Sequence, residues 1–203
     1  TQSGVNTDIQ LQQANPIESN IFDFLNKYDL DLQRNLVLDS KCGNVQVQQS
    51  VGLFRMNRAV QYPFFPVVDT FNSKDSVAGI IVNKLEQILP LFPSEIKIDT
   101  VRSENVLNVS TLFTSSNNSG LMSSNFMLSP DPQQNPFLKL LGQSGKVLSA
   151  LSSLKGGGEL MLISDSKFLS DEGGMSIPDN MVFLMNAVDY LADDEDLISL
   201  RSR

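Results

Sequence analysis

Histidine and tryptophan are both missing from this 203-residue chain, and cysteine occurs once, as Cys42. Without an imidazole there is no general base for a Ser-His or Cys-His nucleophile pair. The same shortage of Cys and His removes structural zinc sites and the helical metalloprotease pattern, so no metal is expected. A single cysteine makes no internal disulfide, and cysteine usage therefore assigns no redox compartment. Positive charge is scarce too. Lys plus Arg number 15 against 23 Asp plus Glu, a net charge of −8 with a pI near 4.5. A nucleic-acid binder needs a basic face to neutralise phosphates, so no nucleic-acid partner is expected. No window reaches the roughly 18 apolar residues of a membrane-spanning helix. The N-terminus also lacks the basic region and apolar core of a secretion signal. Because the chain starts at Thr1 without an initiator methionine, it is expected to be a processed or excised piece.

What is present is an ordinary globular composition, 41% hydrophobic and 19% charged, in a length suited to one core and one domain over residues 1–203. Residues 1–15 are polar and Gln-rich and read as an extended lead-in. Ile17, Ile21, Phe24, Leu25 and Tyr28 then form one apolar stripe at helical spacing, with Asn15 and Pro16 at its start. Residues 35–40, NLVLDS, read as a buried parallel strand ending in Asp39. Alternation over residues 43–57 suggests a hairpin with one wet face. The two prolines of residues 59–69, AVQYPFFPVVD, force an extended course whose aromatics cover a sheet edge or offer a stacking surface at Tyr62. Helical spacing recurs over residues 76–89 up to Pro90. Short strands follow at 95–99 and 106–116, then a surface excursion over 121–136. A helix over 145–154 ends at the glycines of 156–158.

The last quarter organises the rest. Residues 159–164 read as a buried strand that delivers Asp165 and Ser166 at its carboxyl end, where open α/β sheets place ligands. Ser176 and Asp179 have capping-box spacing. Met181, Leu184, Met185, Val188 and Leu191 make the apolar stripe of a helix from 177 to 192. The acidic run at 193–196 follows, beside a helix C-terminus that disfavours it unless it is solvated or paired with Arg201 or Arg203.

Motifs for chemistry fail on spacing. GQSGKV at 142–147 approaches a phosphate loop, but Leu140 stands where glycine is needed and Val147 where Ser or Thr is needed. GMSIP at 174–178 has Pro178 in place of the second glycine of a nucleophile elbow. No glycine fingerprint for a dinucleotide follows a strand, and no cofactor is expected. Asp39 and Asp165 both end predicted strands, yet aspartates there usually cap the next turn. The acidic run lacks the spaced ligands and turn glycine of a calcium loop. Cys42 has only Lys41 nearby to lower its pKa and reads as structural. No catalytic residue is nominated. The ligand-binding candidates are Asp39, Tyr62, Asp165 and Ser166.

Two pairs of segments carry a family resemblance. FDFLNKYDLDLQRNLVLDSKC with YPFFPVV, and ELMLISDSKFLSDE with DNMVFLMNAVDYLADDEDLISLRSR, resemble the middle and closing portions of the gliding-motility-type auxiliary component of ABC transporters. The resemblance implies an α/β fold: an open, mostly parallel sheet flanked by helices, flavodoxin-like and similar to class I glutamine amidotransferases, with a β-hairpin excursion. It also implies an extracytoplasmic domain on the periplasmic side of a bacterial inner membrane, held by helices outside this chain. The partners implied are an ABC permease and its ATPase. Amidotransferases that are enzymes use Cys and His, so no such activity is expected. The first functional expectation is thus a non-enzymatic interaction or substrate-binding domain. The alternative is a carbohydrate- or small-ligand-binding module using the loops after Asp39 and Asp165, with Tyr62 as a platform.

Overall fold

Turn-forming residues recur every few positions, so the chain builds many short extended runs and few helices. A computed structural model describes all residues except 52, 53, 100, 132, 136, 171–176 and 194–203. In chain order it contains β1 (Val5–Asp8), β2 (Gln13–Pro16), α1 (Ile21–Asn26), β3 (Asp31–Leu32), β4 (Leu36–Asp39), β5 (Cys42–Val51) and β6 (Phe54–Pro66). These are followed by β7 (Thr70–Phe71), α2 (Ala78–Ile81), β8 (Ile96–Lys97), β9 (Val106–Thr114), β10 (Ser119–Met122), β11 (Val147–Leu154), β12 (Glu159–Ile163) and α3 (Pro178–Leu191). A 3₁₀ turn at Phe137–Leu140 precedes β11.

The expected open, mostly parallel, flavodoxin-like or amidotransferase-like sheet is not what forms. Every strand pairing among the described residues is antiparallel, and the strands distribute over five small sheets. The largest has the order β12-β11-β9-β7. A parallel pair needs a crossover of a dozen or more residues, usually a helix. Here α1 has six residues and α2 four; short connections close β1–β2 and β11–β12, while β4–β10, β3–β8, β7–β9 and β9–β11 are antiparallel pairs of strands distant in the chain. Between β11 and β12, Gly157 and Gly158 take φ of 84° and 90°, a conformation that suits glycine and closes a hairpin.

Two expected helices are largely replaced. Of residues 145–154, Val147–Leu154 form β11, an inner strand of its sheet. Leu148, Ser149, Ala150, Leu151 and Ser152 are all buried there, because a strand covered on both faces shows no alternation and mimics helical spacing. A register shift at Ser149/Ala150 turns Leu148 and Leu151 to the same core cluster, as a β-bulge does by changing side-chain parity. Of residues 76–89 only Ala78–Ile81 is helical. Lys84 has φ of 56°, which interrupts any right-handed helix. The stripe from Ile17 to Tyr28 likewise gives only Ile21–Asn26. The excursion over 121–136 is not all surface, since Phe126 and Leu128 are buried. Over 42–66 a hairpin does form, β5 against β6, longer than the alternation indicated.

Three apolar clusters fill the interior. One lies between the four-stranded sheet and α2 and α3, around Leu112, Phe113, Leu148, Phe168 and Phe183. A second, around Phe22, Leu25, Leu30 and Ile96, covers the opposite side with α1. A third joins β4 to β6 through Leu36, Leu38, Tyr62, Phe64 and Phe92.

Helix α3 turns only part of its expected apolar stripe inward, with Met181 and Leu184 half-buried. Its buried residues are Asn180, Phe183, Asn186 and Ala187, while Met185, Val188 and Leu191 are 41%, 57% and 47% exposed. The asparagines face inward because they satisfy backbone groups of the irregular 81–89 region. Asn180 accepts from Leu89 N–H (2.9 Å) and donates to Leu89 C=O (3.0 Å); Asn186 donates to Ile81 C=O (3.1 Å). Leaving such groups unpaired costs about 1–3 kcal/mol each. The Asn180→Ala variant is therefore expected to lose about 2–3 kcal/mol of stability in urea unfolding. Val188→Ala, on the stripe, should change it by less than about 0.5 kcal/mol.

Candidate functional site

The nominated aspartates end strands, and each closes a turn. Asp39 is fully buried at the end of β4. Its carboxylate accepts from Lys41 N–H (2.9 Å), Ser116 N–H (2.6 Å) and the Ser116 hydroxyl (2.6 Å). Those bonds bind the end of β4 to the loop after β9. Asp165 is also fully buried. It accepts from Leu91 N–H (2.8 Å) and Lys167 N–H (2.7 Å). Ser166 donates its N–H to Ser3 Oγ (2.8 Å), and the Ser3 hydroxyl donates to Ser166 Oγ (3.1 Å). Tyr62 is 5% exposed. Its hydroxyl donates to Leu128 C=O (2.5 Å), and its ring meets Phe65 and Phe92 edge-on at 4.9 Å and 5.9 Å.

Tyr62, Asp165 and Ser166 border a common neighbourhood, while Asp39 sits at a separate turn. The link is the segment Leu89–Ser94. Asp165 holds Leu91 N–H, and Phe92 packs its ring on Tyr62 and Phe64 with the Lys167 ammonium 5.5 Å from its centroid. Both carboxylates are buried and accept from backbone N–H groups, Asp39 from Lys41 and Ser116 and Asp165 from Leu91 and Lys167. Asp165 and Tyr62 hold backbone in place, and the tyrosine face is covered by other aromatics.

Electrostatics follow from burial. Desolvation pushes the Asp165 carboxyl up to about 6 from an ordinary 3.8, against the N–H donors of Leu91 and Lys167, the Lys167 charge and the N-terminal ammonium, which pull it down. Burial raises the Cys42 thiol and the Tyr62 phenol above their usual values. A raised thiol pKa lowers the thiolate fraction and suits a structural cysteine. Among the described residues no group of three or more His, Cys, Asp or Glu is placed to hold a metal.

The concave surface lies elsewhere. A groove of about 1400 Å³ runs along the β5–β6 hairpin and the 128–134 segment. Amide side chains of Gln46, Gln48, Gln61, Gln133 and Gln134 line it, with Tyr62, Phe65 and Phe92 among its apolar lining. Arg58 and Asp131 contribute one charge of each sign. Amides carry a donor and an acceptor each, so the groove can hydrogen-bond neutral polar partners without a net charge. In sequence the Gln-rich alternation over 43–57 signals only a wet strand face. The 128–134 segment opposite is distant in the chain and carries no periodic pattern, so nothing local joined the two.

The buried carboxyl sets a pH dependence. Its folded pKa lies above its unfolded value, so the folded state binds the extra proton between about 3.8 and 6. The stabilisation is complete below that window and is lost as pH rises through it. The stability of the parent chain relative to Asp165→Asn should therefore fall by about 2.5 kcal/mol between pH 4 and pH 7. Unfolding free energies of both proteins across that range check it; a constant difference would contradict it.

A family model described as an ABC-type uncharacterized transport system matches residues 2–187. No curated protein and no solved structure matches the chain.

Proposed function

We propose, for a chain that belongs to the ABC-type uncharacterized transport system family, that it acts as a non-enzymatic, extracytoplasmic interaction domain within that system. Membership makes it an auxiliary component of ABC-type transport. The finer reading puts it on the periplasmic side of a bacterial inner membrane, as in gliding-motility-type systems, beside a permease and an ATPase. No described helix is long and apolar enough to cross a membrane, so the anchor in this reading is supplied by helices outside the chain.

One observation carries the proposal. The strand-end carboxylates Asp39 and Asp165 accept from backbone N–H groups, whereas the outer part of the β5–β6 hairpin carries exposed polar side chains. Residues 55–59 of β6 are all exposed, as are Asn44, Gln46, Gln48 and Gln49 of β5. A two-stranded ribbon without cover is marginal in water, and such a ribbon gains from a partner. Tagged protein purified from membranes of its native host should bring the permease and ATPase with it. Recovery of neither subunit under mild detergent would sink the reading.

The amide-lined groove favours a second reading, capture of a carbohydrate or another neutral polar ligand. Here the contacts would come from Gln46, Gln48 and Gln61 rather than from Asp39 or Asp165. Titration calorimetry against a panel of neutral oligosaccharides is expected to give binding that Phe65→Ala weakens at least tenfold. Heat signals indistinguishable from dilution across the panel would remove this reading.

A further inference from the structure

Two surfaces of this chain combine exposed apolar side chains with opposite charge. The first is the outer part of the β5–β6 hairpin. From Cys42 to Pro66 the sequence holds no acidic residue and two arginines, Arg55 and Arg58. The rest of the chain has the remaining 13 basic residues against all 23 acidic ones. Directly opposed residues of an antiparallel pair share a face. The register Val45↔Val60, Val47↔Arg58 and Gln49↔Met56 therefore collects apolar groups and Arg58 on one face. At the inner end of that face Val45 packs on the core. Farther out, Met56 is 59% exposed, and neither Arg55 nor Arg58 joins an ion pair among the described residues.

The second surface is the outward side of α3. Met185 and Val188, with Leu191 at the helix end, expose an apolar strip. The helix contains Asp179 and Asp189 and is followed by the exposed Asp193, with no Lys or Arg from Pro178 to Asp193. Residues three apart are neighbours on a helix surface, so the three side chains form one apolar strip suited to a contact.

We infer that these two surfaces are complementary halves of a self-association contact. The hairpin of one copy lays Met56 and Arg58 on the Met185–Val188–Leu191 strip and acidic end of α3 in a second copy. Each copy carries one arm and one strip, and in the inferred dimer the two are exchanged reciprocally, giving two equivalent contacts about a two-fold axis. The apolar part supplies area, and the Arg58–Asp193 juxtaposition sets orientation and rate. The inference is independent of which transporter subunit the chain meets.

Sedimentation velocity of the purified chain over a range of concentrations tests it. A concentration-dependent dimer is expected, weakened by raising salt from 50 to about 500 mM as screened charge pairs require. Arg58→Glu and Asp193→Lys should each raise the dissociation constant about tenfold or more. The Arg58→Glu/Asp193→Lys pair should restore it to within about threefold of the parent. Both positions are exposed, and unchanged urea midpoints would exclude misfolding as the cause. A chain that stays monomeric at every concentration overturns the inference. So does a dimer indifferent to both charge reversals. Arg58-dependent binding to vesicles of anionic lipid in place of dimerisation would assign the arm to a membrane surface instead and equally overturn it. Failure to recover the permease and ATPase from membranes bears on the function proposed above and leaves this measurement untouched.

Discussion

The irregular segment from Leu89 to Ser94 is the point on which the rest of the structure depends. It is neither helix nor strand, and buried backbone outside regular structure must find partners one group at a time. Each neighbour supplies one. Asn180 of α3 pairs both groups of Leu89, and Asp165 beyond β12 accepts from Leu91. Phe92 N–H donates to Phe64 C=O in β6, Val37 N–H of β4 donates to Pro93 C=O, and Ser94 N–H donates to Ser164 C=O. The Ser94 hydroxyl donates to Asn35 C=O and accepts from Gly4 N–H. One six-residue stretch thus joins the N-terminal residues, β4, β6, the end of β12 and α3.

That arrangement explains why polar residues turn up inside and apolar ones outside. A sheet of regular partners would need few side chains to complete its backbone bonds. Here the small sheets leave gaps, and Asp39, Asp165, Asn180 and Asn186 fill them. The inward asparagines fix the rotation of α3, and its apolar strip is left facing outward as a consequence. The functional reading rests on the same logic. Asp39 and Asp165 hold the frame, and the exposed surfaces of the described residues include the hairpin, its groove and the strip.

Much of the local structure was legible. The apolar run at 36–39 and the run at 159–163 are strands, and the alternation of residues 43–57 lies within a hairpin. A helix follows Pro178, as its spacing indicated. The capping box, however, involves Ser176, which lies outside the described residues. Asp179 instead accepts from Glu86 and Gln87 N–H. Of the acidic exit only Asp193 is described; residues 194–196, Arg201 and Arg203 lie outside the described part. What misled was residues 145–154. Leucines among small serines have helical spacing, but serines are equally at home inside a strand when a neighbour's carbonyl is near. The buried Ser149 hydroxyl donates to Leu162 C=O in this way.

By itself the sequence determined what the chain has no means to do with imidazole or thiolate pairs, and it located the short apolar runs. It also held the family resemblance, because that is carried by contiguous stretches. Strand direction was decided only in three dimensions. Parallel and antiparallel strands bury similar side chains, and the difference lies in whether the connections between them can cross over. The hydrogen-bond partners of Asp39 and Asp165 were decided there as well. An aspartate at a strand end reads the same in sequence whether it faces a cleft or the N–H groups of a distant loop. Ser116 lies 77 residues from Asp39 and Leu91 lies 74 from Asp165. Only folding brings those donors to the carboxylates, and with them fixes which face of α3 and which face of the hairpin remain open.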